Sequence, residues 1–200
     1  MDGLKKGFVL SEESKQELLD CLDENAFPHT QATIFTKKKE DAPEVARRMR
    51  GTTKRVLLHS SMFPEACKQF EEWVGDGTKV GQFDLLVYKK GSKFTPHTDN
   101  YSSIKDQESE KPIRGTDRIH STSTVLYKSD DLVGGDLVLF DDTTDTCGRS
   151  SELRNSGNVV DLEVGETVLF EPDRWHEVTE VENGTRICLI CWLKNPSSIF

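Results

Sequence analysis

The chain has no long apolar run. Hydrophobic residues make up 34% of its 200 residues, and no stretch approaches the roughly 20 consecutive apolar residues a membrane-spanning helix needs, so no membrane association is expected. The N-terminus, Met1-Asp2-Gly3-Leu4-Lys5-Lys6, leads into no signal-peptide core, which points to a cytoplasmic or nuclear location. Positive charge is also scarce. Lys plus Arg number 26 against 35 for Asp plus Glu, a net charge of −9. A chain this acidic repels a phosphate backbone, so nucleic acid is not an expected partner. There are five cysteines, odd in number and scattered, and they form no disulfide framework. The one close pair, Cys188 and Cys191, lies in Arg186-Ile187-Cys188-Leu189-Ile190-Cys191-Trp192, which reads as a strand. Residues three apart on a strand face opposite sides, which argues against a shared zinc or redox role and for buried free thiols.

The length suits a single domain over residues 1–200. A helical N-terminal support reaches to about residue 80, and a β-rich core occupies 81–195. Ser11 is a good N-cap for a helix running to about Leu22, with Leu18, Leu19 and Leu22 as its apolar stripe. A short helix is expected over 41–49. Another spans 63–73, with Pro64 in its first turn and Phe63, Cys67, Phe70 and Trp73 inward; Gly75-Asp76-Gly77 ends it. From Phe83 the texture changes to short β-rich runs broken by turns, at 83–88, 94–97, 121–127, 135–140, 158–162, 166–170, 176–181 and 186–193. Eight such runs predict a mainly β fold with flanking helices, a jelly-roll or cupin-like barrel of two facing sheets. Two polar, turn-rich stretches, 101–120 and 141–157, read as lids or surface loops.

His97-Thr98-Asp99 is an H-x-D sequence. On an extended chain residues two apart point the same way, so both side chains reach one ion. His176 would complete a set of two imidazoles and one carboxylate. Such a facial triad suits non-haem Fe(II), because it leaves coordination positions open for oxygen and an organic cosubstrate. Zinc or nickel could occupy the same ligands. His29, His59 and His120 have no partner pattern and read as solvent or packing histidines.

The neighbours of these residues carry more information. Tyr88 to Asp99 reads Y-x-x-G-x-x-F-x-x-H-x-D. Gly134-Gly135-Asp136-Leu137 gives G-G-x-L at the start of a strand. His176 follows a strand and loop, Arg186 lies ten places after it, and Trp192 six places later. With these motifs the chain resembles the 2-oxoglutarate/Fe(II) oxygenase superfamily, specifically its prolyl-hydroxylase-like branch, over residues 83–193. The resemblance implies a double-stranded β-helix core and an enzyme. It implies Fe(II) on His97, Asp99 and His176, and 2-oxoglutarate with its far carboxylate on Arg186. An arginine fork suits that carboxylate. It places Tyr88, Tyr127 and Trp192 around the cosubstrate, with a one-residue slip putting Leu126 in the place of Tyr127. Asn100 and Trp175 are its candidate substrate contacts. The implied reaction consumes O2, with ascorbate as a candidate reductant. It hydroxylates a C–H bond and releases succinate and CO2.

The spacing of His176 and Arg186 also carries a geometric expectation. If 176–181 and 186–193 form a hairpin, a two-residue turn puts the two side chains on opposite faces. A three-residue loop, Glu182-Asn183-Gly184, pairs Glu180 with Arg186 and His176 with Ile190, and brings both onto one face. The three-residue loop is therefore expected.

Three readings of the substrate remain open. The first is a protein or peptide prolyl residue. The second is a small molecule such as a free amino acid, served by the same core with different loops. The third is a non-catalytic binding protein on the same fold. Repair oxygenases of nucleic acids usually carry a second arginine where this chain has Trp192.

Overall fold

A computed structural model describes residues 4–23, 30–31, 50–99, 118–141 and 157–196. The expected helix at 41–49, Asn100 and most of the two polar loops lie outside the described residues. No helix among the described residues is long and apolar enough to cross a membrane.

The fold is two facing antiparallel sheets with helices outside, as expected for a double-stranded β-helix. The seven-stranded sheet contains β1 (Lys5–Phe8), β2 (Thr30–Gln31), β3 (Lys54–His59), β4 (Lys79–Lys89), β6 (Arg118–Lys128), β10 (Glu166–Phe170) and β13 (Thr185–Lys194), in the order β1-β10-β6-β13-β4-β3-β2. The four-stranded sheet contains β5 (Phe94–His97), β8 (Leu137–Phe140), β9 (Gly157–Val160) and β11 (His176–Val178), in the order β5-β11-β8-β9. A two-stranded ladder joins β7 (Val133–Gly134) to β12 (Val181–Asn183).

Besides its helices, the N-terminal part supplies β1, β2 and β3 to the large sheet, strands that the sequence reading did not include. In β3, Val56 and Leu58 are buried while Leu57 is exposed. That alternation is the mark of a half-buried strand. Helix α1 (Glu12–Asp20) begins at Ser11, whose side chain accepts from the Ser14 amide at 3.1 Å. Helix α2 (Pro64–Val74) begins with Pro64 and ends at Gly75 in the left-handed region. Both helices lie on the outer face of the large sheet. Phe70 of α2 sits 5.9 Å from the Phe83 ring, and Phe63 stands edge-on to the same ring. Full burial of Phe70 contributes about 1.5–3 kcal/mol, and truncation to alanine would cost about 3–5 kcal/mol.

On β4 and β13 the side chains alternate between two separate cores. Phe83, Leu85, Leu189, Cys191 and Leu193 face the helices. Leu86, Tyr88 and Cys188 face the small sheet. Cys188 and Cys191 therefore lie on opposite sides of the strand, both as free thiols.

The expected hairpin between His176 and Arg186 does not form. β11 pairs with β5 and β8, β12 pairs with β7, and β13 pairs with β4 and β6. Glu180 is therefore not the ladder partner of Arg186, nor Ile190 that of His176. The chain leaves one ladder and enters another at Gly184 (φ +79°), where a Cβ would meet Ser129 Oγ at 2.5 Å and the Leu132 backbone at 2.7 Å. Only glycine fits there.

Candidate metal and cosubstrate site

The space between the sheets holds a cavity lined from both of them. Each sheet contributes an inward row of alternate residues. β4 supplies Asp84, Leu86 and Tyr88, and β13 supplies Arg186, Cys188, Ile190 and Trp192. Phe94 and His97 come from β5, and His176 and Val178 from β11.

His97 and His176 are direct ladder partners across β5 and β11. Asp99 lies two residues past His97, its amide donating to Pro172 O at 2.7 Å. One donor atom from each of the three residues falls within 4.8 Å of the others. Nε2 of His97 is 4.0 Å from Asp99 Oδ1, and Nε2 of His176 is 3.8 Å from Asp99 Oδ2. Each Nδ1 is 2.9 Å from a backbone carbonyl, Thr95 O for His97 and Arg174 O for His176. That contact sets the tautomer. With Nδ1 donating its proton, the Nε2 lone pair of each ring is left for a metal.

The charges agree with this. Burial, with His176 close by, holds the His97 imidazole well below its ordinary range, against the pull of Asp99. Burial works against the Asp99 carboxylate, but His176, His97 and Arg118 outweigh it and hold the group below its usual value. Ser121 Oγ donates to Asp99 Oδ2 at 2.7 Å. Arg118 donates Nη1 to Asp99 O at 2.9 Å and stacks on the Trp192 ring at 3.7 Å. Two imidazoles presenting Nε2 and one ionised carboxylate, oriented by these outer contacts, form a donor set that fits Fe(II).

Arg186 stands at the far end of the same cavity, only 3% exposed. Its Nη1 donates to Gly135 O. The G-G pair explains how that carbonyl comes so near. Gly135 has φ +72°, and a Cβ there would lie 2.8 Å from Val181 and 3.8 Å from Arg186 Cδ. Tyr88 is the register partner of Arg186 on β4 and is 1% exposed. Burial pushes its phenol well above its ordinary value.

His97, Asp99, His176, Arg186, Tyr88 and Trp192 thus line one cavity. Two expected residues do not. Tyr127 is 45% exposed and points away. The cause is a β-bulge. Cys188 pairs with Val125 and Ile187 with Tyr127, so Leu126 is the extra residue. A bulge puts two successive residues on one side, and here Leu126 and Tyr127 both take the outer face. Trp175 packs on Val138 and Phe140, the outward residues of β8, one residue out of phase with the inward His176.

Sequence reasoning missed Asp84 and Ser121. Asp84 is 2% exposed and takes Arg55 Nη2 at 2.7 Å and Gln82 Nε2 at 3.2 Å. Burial pushes its carboxyl above the ordinary range, against the pull of Arg55. An acid within Phe83-Asp84-Leu85-Leu86, in phase with Tyr88, was a legible signal for it. Ser121 had no such signal. His120, read as a solvent or packing histidine, places Nε2 2.8 Å from Asp76 Oδ2.

The 2OG-Fe(II) oxygenase superfamily model matches residues 83–194, more than half of the chain. No curated protein matches in sequence. Among solved structures, the fold is similar to a Trichoplax adhaerens prolyl hydroxylase in complex with a hypoxia-inducible factor peptide (16% identity, TM-score 0.60, covering 98% of this chain and 86% of that one). It is also similar to a Pseudomonas putida prolyl-4-hydroxylase (15%, 0.57, 96% and 92%). A third similar structure is the non-haem alpha-ketoglutarate-dependent epimerase SnoN from nogalamycin biosynthesis (12%, 0.58, 97% and 79%). With the family match spanning the strands that build the cavity, the chain belongs to the 2OG-Fe(II) oxygenase superfamily, whose members use Fe(II) and 2-oxoglutarate.

Proposed function

We propose that His97, Asp99 and His176 hold Fe(II), that Arg186 with Tyr88 holds the far carboxylate of 2-oxoglutarate, and that the enzyme hydroxylates a C–H bond of a prolyl residue in a protein or peptide. The observation that carries this reading is the convergence of the three ligand atoms and one buried arginine on a single cavity. Bound Fe(II) and 2-oxoglutarate supply the oxidising chemistry with O2, and succinate and CO2 are the coproducts. The chain's own residues do the rest. The carbonyls of Thr95 and Arg174 hold the imidazoles in the tautomer that presents Nε2. Ser121 holds one oxygen of Asp99. The apolar wall of Leu86, Phe94, Leu137, Phe170 and Ile190 keeps water from the reacting centre.

A small polar metabolite is the second reading. Asp84 favours it, since a buried carboxylate in the cavity wall offers a polar contact that a pyrrolidine ring does not use. The test is succinate formation from 2-oxoglutarate after anaerobic Fe(II) loading and exposure to O2, for the wild type, His176→Ala and Arg186→Ala. A signal in the wild type and its loss in both variants is expected. Stimulation by prolyl peptides, against stimulation by free amino acids, separates the two substrate readings. Absence of both turnover and 2-oxoglutarate binding in the wild type would overturn the assignment.

A further inference from the structure

Arg186 has two register partners, Tyr88 on β4 and Lys128 on β6. Directly paired residues in an antiparallel ladder stand about 4.5–5.5 Å apart at Cα and share a face. The bulge that turns Tyr127 outward brings Lys128 to the inner face, opposite the arginine. The two cations line one recess between the sheets, continuous at Arg186 and Leu137 with the lining of the main cavity. Asp136 and Asp161 also border this recess, but among the described residues neither carboxylate is ion-paired with Arg186 or Lys128. The Lys128 ammonium donates one hydrogen bond, to Leu162 O at 2.7 Å, and retains two donors. Both charges also act on Cys188, a residue of the main cavity. Burial pushes up the Cys188 thiol, and Arg186 and Lys128 together oppose it. Two like charges held side by side, with no carboxylate between them, call for an anion.

We propose that Lys128 is a second cation of the cosubstrate site, holding the far carboxylate of 2-oxoglutarate jointly with Arg186 where a tyrosine was expected from the sequence. The inference rests on the oxygenase reading above and adds to it a binding residue particular to this chain. Arg186 supplies a fixed planar fork, and Lys128 supplies a point charge on a flexible stem from the neighbouring strand. The carboxylate then meets donors from two strands, and a keto acid that lacks it gains nothing from Lys128.

The test is calorimetry of the full chain loaded with Mn(II) in place of Fe(II), titrated with 2-oxoglutarate and with pyruvate, which has the same keto-acid head and no far carboxylate. Lys128→Gln is expected to weaken 2-oxoglutarate binding about tenfold, the order expected for one hydrogen bond to a charged group. Pyruvate binding should not change, and Lys128→Arg should restore most of the loss. If Lys128→Gln does not fold, Lys128→Met, which keeps the stem, gives the same comparison. Unchanged 2-oxoglutarate affinity in the neutral variant overturns the proposal, as does an equal loss for both acids. If the wild-type protein binds pyruvate and 2-oxoglutarate equally or binds neither, the oxygenase reading itself fails, and this one with it.

Discussion

His176 and Arg186 stand on strands of opposing sheets, His176 on β11 of the small sheet and Arg186 on β13 of the large one, and both line the same cavity. The ten residues between them cross from one sheet to the other. The separation of His176 and Arg186 is therefore set by how the sheets pack, not by a hairpin register. His176→Ala should lose metal binding and keep the fold of β13. Arg186→Ala should keep the metal and weaken 2-oxoglutarate about 100-fold, in line with truncating one partner of a buried charge pair. Equilibrium dialysis of metal and calorimetry of 2-oxoglutarate on both variants check the two effects separately.

A divalent metal held by His97, Asp99 and His176 would bind the folded chain alone, so it should stabilise it. At a metal concentration 100 times the dissociation constant the gain is about 2.7 kcal/mol. The thermal midpoint should rise on loading and should not rise in Asp99→Ala. Ser121→Ala should show a reduced rise, because the Asp99 oxygen it holds loses its donor. An equal metal-induced shift in Asp99→Ala would remove that residue from the ligand set.

The two tyrosines expected beside the cosubstrate should separate. Tyr127 faces outward and Tyr88 is buried against Arg186. Tyr127→Ala should change 2-oxoglutarate affinity by less than about twofold. Tyr88→Phe, if its hydroxyl joins the carboxylate site, should lower it by about fivefold, the scale of one net hydrogen bond. The same calorimetric titration reads both.

Asp84 and Arg55 form an ion pair with both side chains mostly buried. Removing one member strands the other charge, and a loss of about 3–5 kcal/mol is expected for Asp84→Leu. The double variant Asp84→Leu with Arg55→Leu should recover most of that loss, since apolar replacement of a buried pair is often neutral. Urea unfolding of the two single variants and the double variant measures the coupling. Additive losses would show that the two residues act independently.

Much of the site was legible in the sequence because its signals are local. The H-x-D pair needs only the twofold period of an extended chain to aim His97 and Asp99 together. Ser11, Pro64 and Gly75 mark helix ends through their own backbone chemistry. The free-thiol reading of Cys188 and Cys191 follows from three-residue spacing on a strand, and the structure puts them in separate cores.

What the sequence by itself determined about this protein is therefore the identity of the residues and the period on which each strand runs. Tertiary structure decided which strands pair. Pairing is chosen between segments far apart in the chain, by the burial and hydrogen bonding each arrangement achieves, so neither the split of 176–181 into two ladders nor the entry of β1 and β3 into the large sheet could be read from local pattern. The bulge at Leu126 is the sharpest case. One extra residue inverts the facing of everything beyond it, because strand side chains alternate with a period of two. That inversion turns Tyr127 to solvent and Lys128 toward Arg186.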